Sequence, residues 1–172
     1  MTVDRESGVL RGANLGDSGL FVLRDNKIIF QSQEQQYYFN APYQLSILPP
    51  GLGASLTTEP GQAQKIQVEL RDGDVIVLAT DGFLDNVHAQ ELPLLLAGHE
   101  REDVSGMASM LVHHALKLSE DAAYLSPFSL RSRQHYKVDY FTGGKPDDIT
   151  VVVAVFHQSS DSNQPPPMQA KL

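Results

Sequence analysis

Two runs of consecutive apolar residues do most to limit the folds open to this chain. They are Val75-Ile76-Val77-Leu78-Ala79 and the valine-rich stretch from Ile149 to Phe156. Short apolar runs rich in β-branched residues, with no polar alternation, read as strands buried on both faces. Strands of that kind need packed material above and below the sheet, and the surrounding sequence supplies it. Lys65 to Leu70 turns Ile66, Val68 and Leu70 inward, the pattern of a half-buried strand. Leu20–Leu23 and Lys27–Phe30 flank Asp25-Asn26, residue types that tolerate the positive φ of a tight hairpin turn. Thr2–Val3, the turn-like Asp4-Arg5-Glu6-Ser7-Gly8 and Val9-Leu10 read as another hairpin, whose first arm is short.

Helices are predicted between these strands. Asp103 reads as an N-cap, followed by Val104, Met107, Ala108, Leu111, Val112, Ala115 and Leu118, which form one stripe at spacings of three and four. A second helix is expected within residues 87–96, interrupted by Pro93. Residues 40–64 and 120–146 read as long connections, which inside a compact domain are functional or mobile. The order of strands, then helices, then a strand predicts an α+β fold of antiparallel sheet with helices packed outside. Residues 1–158 read as the folded unit, and the Ser-, Gln- and Pro-rich stretch 159–172 as a disordered tail.

Composition narrows function. The 172 residues carry a formal charge of −8 and no cysteine, which excludes disulfide scaffolds, thiolate metal sites and thiol nucleophiles. An acidic balance argues against a nucleic-acid partner and suits a protein that gathers cations. No stretch approaches the ~20 apolar residues of a membrane span, and the start resembles neither a signal peptide nor a transit segment.

The carboxylates have a pattern of their own. Asp81 ends the first buried run and Asp147-Asp148 open the second, so antiparallel pairing of the two would bring Asp81 and Asp147 to one rim of the sheet. Asp17 lies between two other strands, and Asp85 lies one turn beyond Asp81. Four carboxylates at the edge of an apolar core repel one another and suffer desolvation; a divalent cation relieves both, and oxygen-only ligands favour Mg²⁺ or Mn²⁺. Each position has an ordinary reading as well: an Asp at a strand end is commonly a turn former or a helix cap.

Three segments, in this order, resemble motifs of the metal-dependent type 2C serine/threonine protein phosphatases. They are Ala13-Asn14-Leu15-Gly16-Asp17-Ser18-Gly19, Ala79-Thr80-Asp81-Gly82-Phe83-Leu84-Asp85-Asn86 and Gly143-Gly144-Lys145-Pro146-Asp147-Asp148-Ile149-Thr150. The segments Glu34–Ser46 and Tyr124–Phe128 resemble the mitochondrial branch of that family. The resemblance implies two packed antiparallel sheets flanked by helices, a two-metal centre at one edge, and hydrolysis of phosphoserine or phosphothreonine in proteins by a metal-activated water. It implies Asp81 and Asp147 as catalytic metal ligands, Asp17 and Asp85 at an additional, weaker site, and Gly82 as the residue that allows a tight backbone after the ligand. The substrate it implies is a phosphoprotein, and the address mitochondrial. The family's early phosphate-binding motif and its Asp-Gly-x-Gly motif, whose Asp bridges both metals, are not found. The resemblance therefore covers roughly the C-terminal two-thirds of the catalytic unit, those motifs are expected before residue 1, and the chain by itself is expected to turn over poorly.

Two other readings compete. Gly16-Asp17-Ser18-Gly19 matches the nucleophile motif of trypsin-like proteases, but there the His and Asp precede the Ser, and the first histidine here is His88. The type 2C scaffold could also serve as an inactive interaction module, binding a partner through residues 40–64 or 120–146. His113 and His114, adjacent on a helix, read as solvated; Arg131 and Arg133 read as belonging to a mobile loop near the centre, where they could touch a phosphoprotein, with ordinary solvated charge the preferred reading. Asp72-Gly73-Asp74 reads as a turn.

Overall fold

The computed structural model describes residues 1–47 and 57–158. Strands β1 (Thr2–Asp4), β2 (Val9–Asn14) and β7 (Gln64–Glu69) form one antiparallel sheet in the order β1-β2-β7. A second sheet runs β4-β3-β8-β9, from β3 (Gly19–Arg24), β4 (Lys27–Gln31), β8 (Val75–Ala79) and β9 (Val151–Val155). Between them in sequence, β5 (Gln36–Tyr38) and β6 (Ala41–Pro42) make a small pair. The expected hairpins are present, and Asp25 and Asn26 adopt φ of 49° and 56°.

Alternation along β3 and β8 divides the core. Leu20 and Val22 of β3 and Ile76 of β8 face the first sheet, where they pack with Leu10, Ile66, Leu70 and Phe156. Phe21, Leu23, Val75, Val77 and Ala79 face the other way, onto the helices. This is the sandwich of two antiparallel sheets with helices outside, the α+β class read from the sequence. Helix α1 (Asp81–Leu84) supplies Phe83 to the helical side, α2 (Leu92–Leu96) supplies Leu92 and Leu96, and α3 (Val104–Ser119) supplies Met107, Leu111 and Ala115. Helix α3 begins where predicted: the Asp103 carboxylate accepts from the Gly106 N–H at 2.9 Å.

Four expectations need correction. Pro93 does not interrupt a helix; it sits in the first turn of α2, where its missing N–H costs nothing, after a 3₁₀ turn over Ala89–Glu91. Residues 120–146 are not one connection but carry α4 (Pro127–Tyr136), which holds Arg131 and Arg133 on a helix. Ser126 caps α4 by accepting from the Ser129 N–H at 3.0 Å, and Pro127 opens it. The run Ile149–Phe156 becomes a strand only from Val151 and is not buried on both faces, for among the described residues β9 is the last strand of its sheet and Val152 is 52% exposed. Residues 40–64 hold β6 and a 3₁₀ turn over Pro60–Gln62, while 48–56 lie outside the described residues. The proposed tail, 159–172, also lies outside them.

Candidate metal centre

Strand pairing builds the site. Strands β8 and β9 are antiparallel, with Ala79 opposite Val151, so the residues leaving β8 lie beside those entering β9. Thr80 fastens the two segments: its N–H donates to the Thr150 carbonyl at 3.1 Å, its hydroxyl donates to the Asp148 carbonyl at 3.0 Å, and the same oxygen accepts from the Thr150 N–H at 3.0 Å. Gly82 is required here for space. A Cβ at that position would lie 2.5 Å from the Asp148 carbonyl oxygen and 3.3 Å from the Asp147 Cβ.

Asp81 opens α1 and Asp85 follows its last residue, so a single turn brings both to the same rim. Carboxylate oxygens of Asp81, Asp85 and Asp147 lie within 4.8 Å of one another. Among the described residues this is the one group of three or more His, Asp or Glu side chains with metal-holding geometry. Its donors are all carboxylate oxygens, a set that suits a hard divalent cation. Asp17, in the loop between β2 and β3, is not part of that trio but faces it. Burial, then the negative charges of Asp81 and Asp85, push its carboxyl above the usual range. Asp147 is shifted the other way, held low by the Asp148 N–H and by Lys145.

Cationic side chains complete the cluster. Lys145 Nζ lies 3.4 Å from Asp81 Oδ2, 2.5 Å from Asp85 Oδ2 and 3.1 Å from Asp147 Oδ2. Arg131 of α4 pairs with Asp85 and reaches Glu34 Oε2 at 3.3 Å. Asp85, only 4% exposed, is thus neutralised from two sides. Asn86, fully buried, donates from Nδ2 to the carbonyls of Gly82 and Lys145 at 2.8 Å each and accepts the Lys145 N–H at 2.8 Å. Beside the carboxylates opens a cleft of about 200 Å³ whose lining includes Asp17, Ser18, Glu34, His88, Pro127 and Arg131.

Three of the four predicted carboxylates, Asp81, Asp85 and Asp147, therefore meet at one edge of the sheet, and Asp17 lies near enough to feel the charges of Asp81 and Asp85. Sequence reasoning missed Asn86, Lys145 and Glu34, and read Arg131 as solvated charge. The position of Lys145, two residues before Asp147, was the available signal for it. His114 is not merely solvated: its Nε2 lies 3.2 Å from Glu91, which also accepts from the Tyr124 hydroxyl at 3.3 Å. Burial and the Glu91 charge push the Tyr124 hydroxyl up to about 12. His88 Nε2 lies 3.0 Å from the Leu125 carbonyl oxygen and forms no hydrogen bond with Ser18, against the protease reading.

No protein-family model matches the chain. Among curated proteins, it is 42% identical over 168 residues to the PTC7 protein phosphatase homologue fig of Drosophila grimshawi, covering 95% of this chain and 54% of that one. It is 39% identical over 169 residues to the PTC7 protein phosphatase homologue of Xenopus laevis, covering 94% and 55%. The X-ray structure of the photosystem II phosphatase PBCP superposes with a TM-score of 0.79 at 33% identity, covering 89% of this chain and 60% of that chain. The chain is thus a homologue of the PTC7 protein phosphatases over nearly all of its own length. The Mycobacterium tuberculosis serine/threonine phosphatase PstP/Ppp shares the fold alone, with a TM-score of 0.53 at 22% identity over 87% of this chain and 56% of that one. The chain spans about half the length of the curated relatives it matches.

Proposed function

We propose that this protein takes part in metal-dependent hydrolysis of phosphoserine and phosphothreonine esters in proteins. The observation that carries the reading is the convergence of Asp81, Asp85 and Asp147 oxygens within 4.8 Å at the rim where β8 and β9 meet. Asp81 and Asp147 are assigned as principal ligands of Mg²⁺ or Mn²⁺, with Asp17 and Asp85 at a secondary site. Divalent ions at such a centre supply an acidified water and neutralise phosphoryl oxygens.

The chain's own residues do the positioning. Thr80 fixes the separation of the Asp81 and Asp147 backbones, and Asn86 ties α1 to the segment that carries Lys145. Arg131 lines the cleft with a guanidinium, a group suited to receiving a phosphoryl group. Residues 1–158 are assigned to one portion of a type 2C catalytic domain. The resemblance of Glu34–Ser46 and Tyr124–Phe128 to the mitochondrial branch supports a mitochondrial address.

The test pairs binding with turnover. The 172-residue chain and its Asp81→Asn and Asp147→Asn variants are titrated calorimetrically with Mn²⁺ and assayed on a phosphoserine peptide. Mn²⁺ heat that is lost in both variants supports the centre; no heat from the unchanged chain overturns it in favour of an inactive interaction module.

A further inference from the structure

Lys145 occupies the place a metal would need. Its Nζ lies within 3.4 Å of one oxygen from each of Asp81, Asp85 and Asp147. A divalent ion bound to these oxygens sits about 2.0–2.6 Å from each, so ion and ammonium contend for one small volume. Both are cations, and at a separation of a few ångström in partly desolvated surroundings their repulsion is large compared with thermal energy.

The side chain is arranged so that its head can leave while its base stays. The Lys145 backbone is held by Asn86 through two hydrogen bonds of 2.8 Å. Beyond that anchor lies a flexible four-carbon stem with a side chain 20% exposed, and Nζ lies 5.1 Å from the centroid of the Phe128 ring, an aromatic face that can hold an ammonium. Asp85 keeps a cationic partner in Arg131 when Lys145 withdraws, whereas among the described residues Asp81 and Asp147 keep only the backbone N–H groups of Gly82 and Asp148.

We propose that Lys145 is an internal counter-cation of the Asp81–Asp85–Asp147 cluster, displaced when a divalent ion binds, and that this exchange sets the chain's metal affinity. The inference rests on the metal-centre reading above. It accounts for a lysine ammonium set among three carboxylates at the edge of an apolar core, and it assigns Lys145 a positioning role outside the ligand set.

Two measurements test it on the 172-residue chain. In the first, Lys145→Met and Lys145→Gln are titrated with Mn²⁺ at low ionic strength beside the unchanged protein. Loss of the competing charge should tighten binding by about tenfold or more, while the metal-free variants melt lower. Equal or weaker affinity in the variants, with the unchanged chain still binding, overturns the role of Lys145 and leaves the metal centre standing. Absence of Mn²⁺ heat in all three proteins overturns both. The second needs no variant: amine acetylation of the unchanged chain is followed residue by residue with and without saturating Mn²⁺. Displacement predicts severalfold faster modification of Lys145 with the metal, and an unchanged or slower rate refutes it.

Discussion

Gly82→Ala should damage the site through the backbone alone. The added methyl would lie 2.5 Å from the Asp148 carbonyl oxygen and 2.9 Å from its carbon, so the 147–148 segment must retreat by about 0.9 Å to reach ordinary contact near 3.4 Å. Retreat is resisted because it would stretch the hydrogen bonds by which the Thr80 hydroxyl and amide hold Asp148 and Thr150. Overpacking against a fixed backbone costs about 1–3 kcal/mol. For a chain of this length each kcal/mol is worth about 2–4 °C, so the melting temperature should fall by roughly 2–12 °C. The same displacement carries Asp147 away from Asp81, and Mn²⁺ binding should weaken in parallel. Gly98→Ala is the control, since a Cβ there meets nothing within 4 Å and the position has no positive φ. Differential scanning fluorimetry and Mn²⁺ calorimetry on the three proteins decide the matter. A Gly82→Ala chain that melts and binds metal like the unchanged protein would refute the close approach of the two segments.

Two further outcomes follow from the electrostatics. Asp74, 1% exposed, accepts from Arg24 Nε at 2.9 Å, from Arg24 Nη2 at 2.7 Å and from the Arg71 N–H at 2.8 Å, so Asp74→Ala should cost about 3 kcal/mol; it lies at the end of β8 away from the metal centre, and urea unfolding should shift while Mn²⁺ affinity does not. Asp17→Asn should raise the metal-free melting temperature at pH 7: burial and neighbouring carboxylates raise the Asp17 pKa, so its ionisation costs stability as pH rises above the ordinary carboxylate value. That advantage should vanish as pH falls through the raised pKa toward 3.8, and a lower melting temperature for Asp17→Asn at pH 7 would contradict the assignment.

What the sequence disclosed, it disclosed through strong local signals. Alternation in Lys65–Leu70, the Asp25-Asn26 turn and the Asp103 cap each have one physical meaning, and each element is where that meaning puts it. The pairing of β8 with β9, and so the meeting of Asp81 with Asp147, followed from two apolar runs bounded by acids. Helix α4 escaped because Pro127–Tyr136 is too polar for an apolar stripe, although Ser126-Pro127 was a usable start signal. The burial of β9 was overstated because an apolar run does not reveal whether its strand is central or last in the sheet. The charged surroundings of Asp85 were harder to read for a different reason: Lys145 and Arg131 reach Asp85, and Glu34 reaches Arg131, only through tertiary packing of distant segments.

The last strand of the larger sheet has a practical bearing. Among the described residues β9 pairs only with β8, leaving one row of peptide groups and the Val152 side chain facing outward. An edge strand built of valines is a template for another chain of like sequence. Purified alone at high concentration, the polypeptide will therefore tend to stick to itself along this margin, and a lysine placed at residue 152 is the natural remedy for anyone preparing it for crystals or spectroscopy.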